Sequence, residues 1–148
     1  MRSSLHGGLV LTAILSVGLV AFGCGGGDDN LTKAEFLKQG NAVCKKGNDQ
    51  IDKVANQTFG KKHPSQAKLN SFATDTLIPV VQTEIDGISD LNPPSADEDQ
   101  VNAIVDDAQA ALDKGKADPS LLVSEKSDPF KKANKLANDY GLKECGGD

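Results

Sequence analysis

Asn92-Pro93-Pro94 is the strongest breaker in this chain, and on both sides of it apolar residues recur with a helical period. Before the break, Leu69, Phe72, Ala73, Leu77, Val80, Val81, Ile85 and Ile88 form one stripe, which predicts a helix beginning near Pro64 and Ser65. Pro79 lies within that stripe and is expected to bend the helix, because it removes one backbone hydrogen bond. After the break, Ser95 is the expected N-cap of another helix, whose first turn carries Asp97, Glu98 and Asp99, the charge a helix N-terminus favours. Its stripe is Val101, Ile104, Val105, Ala108, Ala111 and Leu112, and Lys114 and Lys116 close it at the negatively polarised end.

A first helix precedes these two. Thr32-Lys33-Ala34-Glu35 reads as a capping box. Leu37, Cys44 and Ile51 then repeat every seven residues, with Val43, Val54 and Ala55 on or beside the same face, for about 25 residues of helix. Gly40 and Gly47 fall on or near the stripe, where each costs about 1 kcal/mol against Ala. They are expected to mark the close approach of a neighbouring helix. Gly60-Lys61-Lys62-His63-Pro64 ends the element.

Two Asp-Pro pairs follow the third helix, each placing Asp at an N-cap and Pro at the first helical position. Asp118-Pro119 opens a short turn through Leu121 and Leu122. Asp128-Pro129 opens a last helix with Phe130, Ala133, Leu136, Ala137 and Tyr140 inward, ended by Gly141 as a left-handed cap. No alternating strand pattern of useful length occurs. The expected fold is all-α: an antiparallel four-helix bundle over residues 31–148, its last helix short and preceded by an extra helical turn. Phe36, Phe72, Phe130 and Tyr140 are the expected large core fillers. Residues 31–68 carry eight Lys and three acids, whereas residues 69–113 carry ten acids and no Lys. A basic first helix beside acidic second and third helices is attractive, although an exposed pair contributes only about 0–1 kcal/mol.

The segment 1–23 is of another kind. Arg2 and His6 form a short polar head, and Leu9–Phe22 is a run of fourteen apolar or small residues. A bilayer span takes about 20, so the pattern is that of a secretory signal peptide. Ala21-Phe22-Gly23-Cys24, followed by Gly25-Gly26-Gly27-Asp28-Asp29-Asn30, resembles the lipobox and tether of bacterial lipoproteins, with Ala21 and Phe22 where that family has Leu and a small residue. The resemblance implies cleavage before Cys24, a diacylglyceryl group on its sulfur, and a membrane anchor followed by a tether over residues 24–30. Three cysteines are an odd number for an exported chain. With Cys24 acylated, Cys44 and Cys145 remain as one disulfide pair in an oxidising compartment. The short last helix brings the C-terminal tail near the middle of the first helix, where Cys44 lies.

Two segments of the mature part, Leu31 to Cys44 and Tyr140 to Cys145, resemble a group of small helical lipoproteins of actinobacteria. That resemblance implies a helical fold, a cysteine pair and a place on the outer face of the cytoplasmic membrane, but no activity.

The search for chemistry points away from catalysis. The mature part has one histidine, His63, beside Lys61 and Lys62, with no orienting partner in the sequence. No CxxC, second histidine or EF-hand pattern suggests a metal, and no nucleotide-binding fingerprint suggests a cofactor. Asp97, Glu98, Asp99, Asp106 and Asp107 read as solvated helix faces. Arg2 is the only arginine and the formal charge is −5, which argues against a nucleic-acid partner. The expectation is a non-enzymatic, membrane-anchored, extracytoplasmic module that binds an envelope protein or a small ligand. An envelope hydrolase using the acidic helix faces and a purely structural spacer or assembly factor are the alternatives.

Overall fold

A computed structural model describes residues 30–61 and 63–147. The expected signal peptide, Cys24 and all of the tether but Asn30 lie outside the described residues. Among the described residues all regular structure is helical. The elements are α1 (Lys33–Phe59), α2 (Gln66–Phe72), a π turn (Ala73–Leu77), α3 (Ile78–Ser89), α4 (Glu98–Ala117), a 3-10 turn (Pro119–Val123) and α5 (Lys131–Tyr140). α2, the π turn and α3 follow one another without a break, so the described chain forms a bundle of four helical rods.

The capping box forms as the sequence predicts. Thr32 Oγ1 accepts from the Glu35 amide at 3.3 Å, and Glu35 Oε2 accepts from the Thr32 amide at 3.0 Å. The buried seam of α1, however, is Phe36, Gly40, Cys44 and Gly47. Leu37 and Ile51 of the expected heptad stripe are only half-buried. A straight helix drifts away from a seven-residue repeat, and the two glycines draw the neighbouring elements onto their own face. A Cβ at Gly40 would stand 2.6 Å from Leu142 Cδ2 and 3.1 Å from Ile88 Cδ1. Close approach is thus the role of both glycines, Gly47 meeting the side chain of Glu84.

Where a bend is expected at Pro79, the structure has a π turn over Ala73–Leu77, just ahead of the proline. Proline in a helix has no amide to give, and its ring collides with the carbonyl four residues back. The helix answers by widening: the Ile78 amide donates to Ala73 O, five residues earlier.

Two caps differ from expectation. Ser95 does not cap α4. The Asp97 amide donates to Pro94 O at 2.8 Å, so a tight turn after the prolines delays the helix and Asp97 becomes the N-cap residue. Ser95 Oγ instead accepts from Asn30 Nδ2 at 2.6 Å. Asp128 likewise stands one turn ahead of α5, its Oδ1 accepting from the Phe130 amide at 2.9 Å, and Phe130 is the N-cap residue. Asp118 does cap the 3-10 turn, accepting from the Ser120 amide. That turn lays Leu122 over Gly115, where a Cβ would stand 2.5 Å from Leu122 Cδ2.

The core gathers Phe36, Cys44, Ile88, Val101, Ile104, Ala137, Tyr140 and Leu142. Phe36 and Tyr140 meet edge to face with centroids 5.9 Å apart, a geometry the ring quadrupoles favour. Phe72 serves elsewhere, against Phe59 at the far end of α1. Gly141 adopts the left-handed conformation (φ 114°) and donates to Ala137 O, ending α5 as expected. The chain then turns back, buries Leu142 completely, and joins Cys145 to Cys44 in a disulfide. Three amide contacts fasten the same tail to α1: Asn41 Nδ2 to Gly141 O, the Glu144 amide to Asn41 Oδ1, and Asn48 Nδ2 to Glu144 O.

Candidate functional site

α5 has 10 residues against 27 in α1. At about 1.5 Å per residue the shorter rod covers well under half the length of the longer one. A partly open cavity of about 240 Å³ lies among the long rods, α5 and the tail. Ile51 of α1, Val81, Ile85 and Ile88 of α3, and Ile104, Val105 and Ala108 of α4 supply apolar walls. Phe130, Ala133 and Ala137 line the α5 side, and the Cys44–Cys145 bridge with Leu142 closes the tail side.

Into this apolar surface α3 inserts a carboxyl, Glu84. It lies four residues after Val80 and four before Ile88, both buried, so it belongs to the inward face of α3. Gly47 across from it leaves the space the side chain occupies. Glu84 Oε1 is buried and has no hydrogen-bond partner. Loss of hydration disfavours the charged form and pushes the carboxyl up to about 7. The group therefore exchanges its proton near neutrality, and among the described residues Oε1 has no hydrogen-bond partner.

The other polar lining groups are Asn48, Asn134, Asp128 and Glu144. Asn48 Nδ2 is committed to Glu144 O, while Asp128 and Glu144 are exposed. Among the described residues no lysine lines the cavity.

The residues singled out from sequence divide clearly. Cys44 and Cys145 come together and wall the cavity; Cys24 lies outside the described residues. None of Asp97, Glu98, Asp99, Asp106 and Asp107 lines the cavity. Asp97 is not a merely solvated residue: Tyr140 Oη donates to its Oδ2 at 3.0 Å, and Lys33 Nζ lies 3.3 Å from the same oxygen. Lys33 also sits 4.3 Å from the Tyr140 ring centroid. Asp107 pairs with Lys132 of α5 at 2.8 Å. The expected attraction between α1 and the acidic segment is thus represented among the described ion pairs by Lys33–Asp97. His63 is exposed, and among the described residues no group of three or more His, Cys, Asp or Glu side chains could hold a metal ion.

Glu84 is hard to pick out from sequence because it stands alone within an apolar stripe, outside any cluster of acids. The signal was there, a lone acid between Val80, Val81, Ile85 and Ile88 with glycine-bearing α1 to pack against. No family model matches the chain, and no match is found among curated proteins or among solved structures.

Proposed function

We propose that this chain is a lipid-anchored extracytoplasmic binding protein that takes a small, mainly apolar ligand into the cavity and does no chemistry on it. One observation carries the reading: an apolar cavity in which a buried carboxyl oxygen, Glu84 Oε1, lacks a partner. Ligand sites combine apolar walls with a few placed polar groups, and the volume exceeds the roughly 150 Å³ that suffices for benzene in an engineered cavity. The lipobox-like Ala21–Cys24 segment supports the anchor, and with it a site on the outer face of the cytoplasmic membrane. The rods are taken to run antiparallel, up-down-up-down. Gly40 meeting Ile88, Val43 meeting Gly87, and Gly47 meeting Glu84 support this order for α1 and α3.

The hydrolase alternative drew on the acidic helix faces, whose carboxylates stand away from the cavity, so it has no support from their positions. The binding reading is tested with N-phenyl-1-naphthylamine, a neutral dye that brightens in apolar sites. Saturable one-to-one binding, weakened at least tenfold by Ala108→Phe in a folded variant, is expected; no saturable binding overturns the reading. For the anchor, a fatty-acid analogue is expected to label the wild type and not Cys24→Ala. Equal labelling of both refutes it.

A further inference from the structure

We infer that the ligand is a hydrophobic ammonium, an apolar body bearing one protonated amine, and that Glu84 is its counter-ion. The inference rests on the cavity-binding reading and narrows the chemistry of its occupant.

Among the described residues every ionisable side chain on the cavity lining is an acid: Glu84 on α3, Asp128 before α5 and Glu144 in the tail. Among the described residues the α1 and α4 walls offer no ionisable group, only the amide of Asn48, the disulfide-bonded Cys44 and aliphatic side chains. This acidity is local, because residues 31–68, most of which form the opposite wall helix, carry eight lysines. A carboxylate ligand would meet three acids and no base. A wholly apolar ligand would bury Glu84 more deeply and leave Oε1 without a partner, which costs more than the burial of an equivalent apolar group. An alcohol supplies one neutral hydrogen bond. An ammonium supplies a charge-assisted hydrogen bond to a carboxylate in a water-poor setting, where such bonds are strongest.

When the ammonium enters and Glu84 is protonated, the carboxyl gives its proton to solvent, and the complex holds a carboxylate beside an ammonium. When Glu84 is already ionised, no proton moves. Affinity therefore rises with pH through the region in which Glu84 ionises, about pH 7, and falls again once the free amine loses its proton.

The test uses three probes of one shape, 4-butylbenzylamine, 4-butylbenzyl alcohol and 4-butylbenzoate, titrated calorimetrically into the purified protein at pH 6 and pH 8. The amine is expected to bind at least tenfold more tightly than the alcohol at pH 8, with the benzoate weakest. Its affinity should gain about tenfold from pH 6 to pH 8, since Glu84 goes from mostly protonated to mostly ionised over that range. At pH 7, buffers of different ionisation enthalpy should reveal release of about half a proton. Glu84→Gln, its fold checked by far-ultraviolet circular dichroism, should erase the gap between amine and alcohol while keeping alcohol binding. Alcohol binding with no advantage for the amine overturns the ammonium inference and leaves the cavity reading standing. An undiminished advantage in Glu84→Gln overturns the role of Glu84. Binding of none of the three overturns both readings.

Discussion

Gly47 of α1 lies directly against the side chain of Glu84 on α3, so closely that a Cβ at position 47 would overlap Glu84 Cγ, Cδ and Oε1. The missing methyl at one position makes the room for the carboxyl at the other. Helix propensity alone would favour alanine at position 47 by about 1 kcal/mol, so the space for Glu84 is kept at a cost to α1.

Gly47→Ala therefore forces Glu84 out of its slot, and its effect depends on pH. At pH 8 the wild type holds a poorly solvated carboxylate, and moving it into water offsets the repacking. At pH 5 the wild-type carboxyl is mostly neutral, so displacement yields no such gain. The variant should compare with wild type more favourably at pH 8 than at pH 5, by about 1–2 kcal/mol once the partial solvent access of Glu84 is discounted. Urea unfolding at the two pH values measures this, and an equal effect at both would contradict the displacement.

The wild type should itself lose stability as pH rises from about 4.5 to about 7. Glu84 titrates near 4.5 when unfolded and is raised to about 7 in the fold by burial. The native state thus binds more protons than the unfolded state across that window, and its stability falls there and levels off above it. Asp128 and Glu144, the other acids of the cavity, are exposed at its rim. Glu84→Gln should remove most of the fall, leaving a profile that is flatter by about 1–2 kcal/mol after the same discount. A profile unchanged in Glu84→Gln would place the proton uptake elsewhere.

What could be read from sequence was whatever one segment decides alone. Thr32 and Glu35 cap each other within four residues, and Gly141 ends α5 through its own φ, so both were legible. Cys44 and Cys145 were legible because few pairings are open to so few cysteines. The rest depended on distant neighbours. Ser95 loses its capping role to a turn set by the Pro94 carbonyl and finds Asn30, 65 residues away. The heptad through Leu37 and Ile51 yields to the seam through Gly40 and Gly47 because Leu142 and Glu84 fill those gaps. The cavity depends on how far a short α5 reaches along longer rods, a property of the assembled bundle.

The disulfide and the cavity should fail together. Cys145 lines the cavity, and residues 141–145 are held on α1 by the bridge and by Asn41 and Asn48. A closed loop of about 100 residues contributes up to about 4.7 kcal/mol in the chain-entropy model, and 2–4 kcal/mol is typical. Cys44→Ala/Cys145→Ala should therefore lower unfolding stability by about 2–4 kcal/mol and weaken N-phenyl-1-naphthylamine binding at least tenfold at temperatures where the variant stays folded. Lowered stability with undiminished dye binding would show that the tail keeps its place without the bridge.

Tyr140 reports on the contact between α5 and the start of α4. It is the only tyrosine in a chain with no tryptophan, so its ionisation can be followed at 295 nm without overlap from other aromatic phenols or indoles. The ring is 4% exposed, and its hydroxyl donates to Asp97 Oδ2. Burial first, and then the hydrogen bond and negative charge of Asp97, push its ionisation up to about 12. Because the unfolded group titrates near 10, the folded protein should lose stability as pH climbs from about 10 to about 12. Asp97→Asn removes the negative charge and keeps the burial, the largest cause, so the midpoint should fall yet remain above 10. Tyr140→Phe keeps the edge-to-face contact with Phe36, loses the hydrogen bond, and should cost about 1 kcal/mol at neutral pH. A midpoint at 10 in the wild type would mean that the phenol is solvated and that the α4 N-cap is not fastened to α5 through Asp97. A high midpoint unchanged in Asp97→Asn would mean that the charge of Asp97 plays no part in raising it.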